Sequence, residues 1–130
     1  MKPRILIVDD DDAITQQLFW TLSDDYEVMM ANDLPTALRR ARIYEPAVSI
    51  LDLHLPPAVE SPALGLRLLK YIKAHVRDAK VLVISSAGSI ETQKACYAAG
   101  ADEFLEKPFE TEQLRAAMRR IAPQRTLDVA

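Results

Sequence analysis

The feature that most constrains this chain is a set of short runs that are apolar almost throughout, spaced by helical patterns. The runs RILIV (Arg4–Val8), AVSIL (Ala47–Leu51) and KVLVIS (Lys80–Ser85) are rich in β-branched residues and do not alternate with polar ones. A strand that shows one face to water alternates; a strand covered on both faces does not. YEVMMA (Tyr26–Ala31) is a weaker run of the same kind, and a short fifth strand is expected at Ala101–Leu105. Between them lie stripes at helical spacing. They are Ile14, Leu18 and Leu22; Leu34, Leu38 and Ala41; Leu68, Leu69, Ile72 and Val76; and Leu114, Met118 and Ile121. Asn32-Asp33 with Pro35, Ser89 and Thr111 are the expected helix starts, and Gly100 a helix stop. Strand then helix, five times over, predicts an α/β fold: a five-stranded parallel sheet with right-handed crossovers and five helices on both faces.

The length of 130 residues suits one domain with one core. The division expected is a domain over 1–122, with 123–130 as a tail or the start of a linker, because PQRTLDVA carries no periodic pattern. A net charge of −3 speaks against a domain that grips nucleic acid directly. Arg39, Arg40 and Arg42, like Arg115, Arg119 and Arg120, read as solvated helix faces rather than nucleic-acid patches. Cys96 is the single cysteine, so neither an internal disulfide nor a cysteine metal cluster is available. The N-terminus reaches acids too early for a signal peptide, and no apolar stretch is long enough to span a bilayer. A cytoplasmic protein with no membrane partner is expected.

Sites in open parallel sheets lie beyond the carboxyl ends of the strands. There the sequence places Asp9 and Asp10, Asp52, Ser85 and, after the fifth strand, Lys107-Pro108. Three carboxylates in one cleft repel and resist joint ionisation. A hard divalent cation relieves them, and Mg²⁺ takes few carboxylates together with waters and a phosphate oxygen. Asp52 then suits a nucleophile toward a phosphoryl group, with Lys107 and the metal neutralising its oxygens and Ser85 donating a hydrogen bond.

The stretches ILIVDDDDAI, ILDLHLP, VLVISSAGS and AGADEFLEKPF stand in that order, with Ser85 and Lys107 separated by 22 positions. In these stretches the chain resembles the receiver domain of two-component response regulators, the family of the chemotaxis receiver. The resemblance implies a flavodoxin-like sheet of order 2-1-3-4-5. It implies Asp52 as phosphoacceptor, Asp10 as direct metal ligand, Asp9 as the acid holding the metal through water, and the backbone carbonyl of His54 as a further ligand. It implies Ser85 and Phe104 as switch residues, Lys107 as the phosphate-binding lysine, and a cis bond between Lys107 and Pro108. Asp11 and Asp12 match no ligand and are expected to open a helix. The implied partners are a sensor histidine kinase or a histidine phosphotransfer protein, with dimerisation on phosphorylation through the face of the fourth helix, fifth strand and fifth helix.

The chain departs from the family pattern after Asp52, where Gly65 stands thirteen positions on rather than eight. The loop LPPAVESPALG, stiffened by Pro56, Pro57 and Pro62, bears on partner choice or phosphate access, or is a tolerated insertion. Similar loops occur in receivers fused to enhancer-binding transcriptional activators. His54 and Ala87 lie two residues past Asp52 and Ser85, positions that in the family influence phosphate lifetime. Ala87 cannot orient an attacking water, so slow phosphate loss is expected, and His54 is read as an exposed loop histidine. Trp20 faces away from Leu18 and Leu22; of a contact surface and a cover for a groove on its own subunit, the second is preferred. Cys96, off the line of Ile90 and Tyr97, is read as packing.

The resulting expectation is a phospho-accepting signalling domain, not an enzyme acting on an external substrate. One alternative is a receiver that binds partners without phosphate, disfavoured because all the acids, the hydroxyl and the lysine are present. Another is a haloacid-dehalogenase-type phosphohydrolase, which needs an acid where His54 stands and a cap domain that this length does not hold.

Overall fold

The computed structural model describes residues 2–86 and 88–123. Five strands and five helices alternate: β1 (Arg4–Val8), α1 (Asp12–Leu22), β2 (Glu27–Ala31), α2 (Leu34–Tyr44), β3 (Val48–Asp52), α3 (Ala63–His75), β4 (Lys80–Ser85), α4 (Ile90–Ala98), β5 (Glu103–Glu106) and α5 (Thr111–Ile121). The sheet is parallel throughout, in the order β2-β1-β3-β4-β5.

The pleat sends successive residues to opposite faces, which explains why the strands are apolar on both. Ile5, Ile7, Ile50, Leu82 and Ile84 meet Leu18 and Leu22 of α1 and Leu114, Ala117 and Met118 of α5. Leu6, Val8, Leu51, Val81 and Val83 meet α2, α3 and α4 through Ala37, Ala41, Leu68, Leu69, Ile72 and Cys96. Each fully buried Leu or Ile contributes roughly 1.5–3 kcal/mol. Cys96 is wholly buried while Ile90 and Tyr97 are exposed, in keeping with a packing role.

Helix ends follow local chemistry. Asp11 caps α1 by accepting from the N–H groups of Ala13 and Ile14, and Asp12 follows in the first turn. Asp33 caps α2 through Thr36 N–H, and Ser89 caps α4 through Thr92 N–H. Gly100 takes φ +111°, the left-handed conformation that ends α4. The start of α5 differs from expectation. Glu110 rather than Thr111 is the cap, because Gln113 Oε1 accepts the Glu110 N–H at 2.7 Å and closes a capping box. The fifth strand runs Glu103–Glu106, later than the expected Ala101–Leu105, because Ala101 and Asp102 form the entry turn.

Trp20 also differs. It remains 74% exposed, too open for a side chain that covers a groove, and its ring stands nearly perpendicular to that of Phe19 at a centroid distance of 5.6 Å. Leu18 and Leu22 already fill the inner stripe of α1, so the residue between them is directed outward. Among the described residues, no helix is long and apolar enough to cross a membrane. Of the expected tail 123–130, residues 124–130 lie outside the described residues.

Candidate functional site at the carboxyl edge of the sheet

The carboxyl ends of β1, β3, β4 and β5 gather the acids, hydroxyl and amine that the sequence places there. Asp9 follows β1 directly. Its N–H donates to Ala31 O of β2 at 3.2 Å, which continues the ladder past the strand end and fixes the backbone. Its Oδ1 accepts the Asp11 N–H at 2.9 Å, tying the acid to the cap of α1. Asp52 is the last residue of β3, one place later than the expected strand end, and is buried. Asp10 is exposed at the rim. One carboxylate oxygen from each of Asp9, Asp10 and Asp52 lies within 4.8 Å of the other two.

Lys107 closes the group from the far end of the chain. The β4–β5 ladder runs on past β5, so that Lys107 N–H donates to Ser85 O at 2.9 Å. The lysine therefore arrives beside the buried Ser85, and Lys107-Pro108 is a cis bond. Its Nζ lies 2.8 Å from Asp9 Oδ2 and 3.3 Å from Asp52 Oδ2. One ammonium thus faces two enclosed carboxylates, with side-chain exposures of 15% for Lys107, 0% for Asp9 and 9% for Asp52.

The electrostatics follow. Burial pushes the Asp9 carboxyl above its ordinary value of 3.8; the Lys107 bond opposes this and the Asp52 charge adds to it. Since the folded chain holds that proton more tightly than the unfolded one, the contribution of Asp9 to stability is full below the ordinary value. It is lost as pH rises through the raised one. Burial also disfavours the charged form of Lys107, but its bonds and attraction to Asp9 and Asp52 win and raise its pKa. Three acids against one lysine leave a deficit of positive charge. The donor set, all carboxylate oxygen and partly open at Asp10, fits a small hard cation.

The remaining residues take supporting places. The His54 N–H donates to Asp52 Oδ1 at 3.0 Å, and its ring Nδ1 lies 2.8 Å from Val59 O. His54 is therefore not the exposed loop histidine expected. It is half-buried, because the loop after β3 folds back on it. Phe104 is half-buried against the α2–α3–α4 face of the core and pairs in register with Val83, two residues before Ser85. Ala87 lies outside the described residues. An open groove of about 400 Å³ beside Asp9 and Asp12, lined also by Thr15, Asn32, Thr36 and Arg40, was not anticipated. The strand-end rule points to it once β2 is included, since Asn32 directly follows Ala31.

The model of the response regulator receiver domain matches residues 5–119 of the chain. The response regulator MprA of Mycobacterium ulcerans (strain Agy99) is 33% identical over 129 residues, covering 98% of this chain and 53% of that protein. The chain thus spans about half the length of the curated relatives it matches. Among solved structures, NtrX from Brucella abortus superposes with a TM-score of 0.81 at 34% identity, over 93% of this chain and 27% of that one. A response regulator protein from Burkholderia pseudomallei, solved with a phosphorylated aspartic acid, a calcium ion and citrate, superposes with a TM-score of 0.79 at 29% identity, over 89% of this chain and 66% of that one.

Proposed function

Because the chain belongs to the response regulator receiver family of two-component systems, we propose that Asp52 accepts a phosphoryl group from a histidine kinase or histidine phosphotransfer protein and that this resets a partner-binding face. The observation that carries the reading is Lys107 Nζ set between the oxygens of Asp9 and Asp52. An ammonium at that point can follow charge from the carboxylate to the oxygens of an incoming phosphoryl group without moving far. The phosphorylated aspartic acid in the Burkholderia pseudomallei relative supports the same chemistry.

In the transfer, the Asp52 carboxylate attacks phosphorus, an acyl phosphate bond forms, and the bond to the donor nitrogen breaks. Lys107 binds a phosphoryl oxygen, and the Ser85 hydroxyl donates to another. Burial of Asp9 and Asp52 excludes bulk water and strengthens each of these contacts. Asp9, Asp10, Asp52 and the backbone carbonyl of His54 would hold Mg²⁺. When bound, it offsets the charge that gathers on the transferring oxygens. Ser85 and Phe104 then shift the population of the α4–β5–α5 face between two arrangements, which controls an output domain or partner. In this reading the domain acts as a signalling acceptor rather than as an enzyme with an external substrate, and works in the cytoplasm. The output type is proposed on the NtrX side, among enhancer-binding regulators, on the strength of the long loop after Asp52.

The deciding experiment is intact-mass spectrometry after incubation with acetyl phosphate. With Mg²⁺ the chain is expected to gain one phosphoryl group, and with EDTA none; an unmodified mass under both conditions, on folded protein, would refute the assignment. The cation site has its own check. At a hundredfold excess over its Kd, Mg²⁺ should stabilise the fold by about 2.7 kcal/mol. Asp9→Asn should remove most of that gain, because the neutral amide no longer needs the charge relief. An equal Mg²⁺ response in the two proteins, read by thermal unfolding, would place the cation elsewhere.

A further inference from the structure

The enlarged loop between Asp52 and α3 is a folded segment with its own framework. Leu53 and Leu55 are fully buried. Ala58 N–H donates to Leu55 O at 3.1 Å, Ser61 N–H donates to Ala58 O at 3.0 Å, and Gly65 N–H donates back to Leu53 O at 3.1 Å. Within this framework His54 makes two bonds in different directions. Its backbone N–H reaches Asp52 Oδ1, and its ring Nδ1 reaches Val59 O across the loop. Val59 O is a carbonyl and can only accept, so Nδ1 is the donor. The other ring nitrogen, Nε2, is enclosed and has no partner among the described residues. The imidazole is thus committed to holding the loop rather than to solvent.

We propose that the His54 imidazole is a positioning residue for phosphoryl acceptance, and that the loop carbonyl of Val59 is its anchor. The inference rests on Asp52 being the phosphoacceptor. The ring bond closes a short circuit from His54 to Val59 and so restrains the turn at 52–54. That turn aims the His54 N–H at Asp52 Oδ1 and fixes which way the carboxylate faces. Without the ring bond, the turn loses its tie to the far side of the loop, and Asp52 samples orientations from which attack is unproductive. The extra loop residues then have a local purpose: they bring a carbonyl within reach of His54.

The test compares wild type, His54→Leu and His54→Asn. Leucine keeps bulk and loses the donor; asparagine keeps an N–H donor close to the position of Nδ1. Adduct formation from acetyl phosphate at saturating Mg²⁺ is followed by intact mass. Hydrogen exchange is measured over 54–61, and thermal midpoints are recorded. In His54→Leu the rate should fall about tenfold, since small misplacements of a reacting group are costly. Exchange in the loop should quicken, while the midpoint moves little. His54→Asn should recover both the rate and the protection. A wild-type rate in His54→Leu, or His54→Asn as slow as His54→Leu, would overturn the inference while leaving Asp52 as acceptor. A wild-type chain that takes up no phosphoryl group would sink the proposed function, and the role of His54 with it.

Discussion

Asp52→Asn is expected to abolish phosphoryl uptake from acetyl phosphate and yet leave the fold close to wild-type stability. The amide nitrogen and oxygen are too weakly nucleophilic to form the acyl phosphate, so the loss should be complete rather than graded. The stability argument depends on what the substitution leaves behind. Removing one partner of a buried ion pair ordinarily costs about 3–5 kcal/mol, because the other charge is stranded. Here Lys107 is not stranded, since Asp9 Oδ2 remains 2.8 Å away. Repulsion between Asp52 and Asp9 disappears at the same time. Lys107→Met makes the contrast, since it leaves two enclosed carboxylates with no cation and should lose about 3 kcal/mol. Urea unfolding of the two variants checks the ordering. A Lys107→Met protein as stable as Asp52→Asn would mean that Lys107 does not carry the charge balance of the site.

Gly65→Ala should destabilise the chain by about 3 kcal/mol, although alanine is the better helix former by about 1 kcal/mol. A Cβ at this position would stand 2.3 Å from Leu53 Cα and 2.5 Å from Leu53 O, both backbone atoms. Neither can rotate aside as a side-chain tip can. Relief requires α3 to move off the strand end, which breaks the Gly65 N–H to Leu53 O bond and opens the core around Leu68 and Leu69. On the proposed function the effect should extend to chemistry, because Leu53 is covalently next to Asp52 and any shift of it re-aims the Asp52 carboxylate. Urea unfolding midpoints decide the first part, and adduct rates on the folded fraction the second. A loss under about 1 kcal/mol would mean that α3 slides freely over Leu53, against the tight packing of protein interiors.

Much of this was legible in the sequence, for a physical reason. A strand buried on both faces needs apolar side chains at every position, so β1 and β4 declare themselves with their bounds intact. β2 is an edge strand with exposed Glu27 and Met30, and its signal is correspondingly weaker. The gathering of Asp9, Asp10, Asp52 and Lys107 was legible because strand ends in a parallel sheet share one edge. What was illegible depends on contacts that no local pattern encodes. The cap of α5 passed to Glu110 through a side-chain bond with Gln113. The burial of His54 depends on a loop that folds back five residues later. The exposure of Trp20 depends on which face of α1 the sheet and α5 cover. Spacing alone could mark the loop as long, but not show that it is structured.

The bond from Lys107 to Asp9 joins residues 98 positions apart, and the one to Asp52 joins residues 55 apart. Contacts of such separation are entropically costly to close and form only when the intervening chain is in place. The charge balance of the cleft is therefore incomplete until the chain has run past β5 and Lys107 is in place. A chain halted before its fifth strand would hold the acids with no lysine to oppose them. On the proposed function, competence to take a phosphoryl group then reports that the chain has been made and folded through to β5.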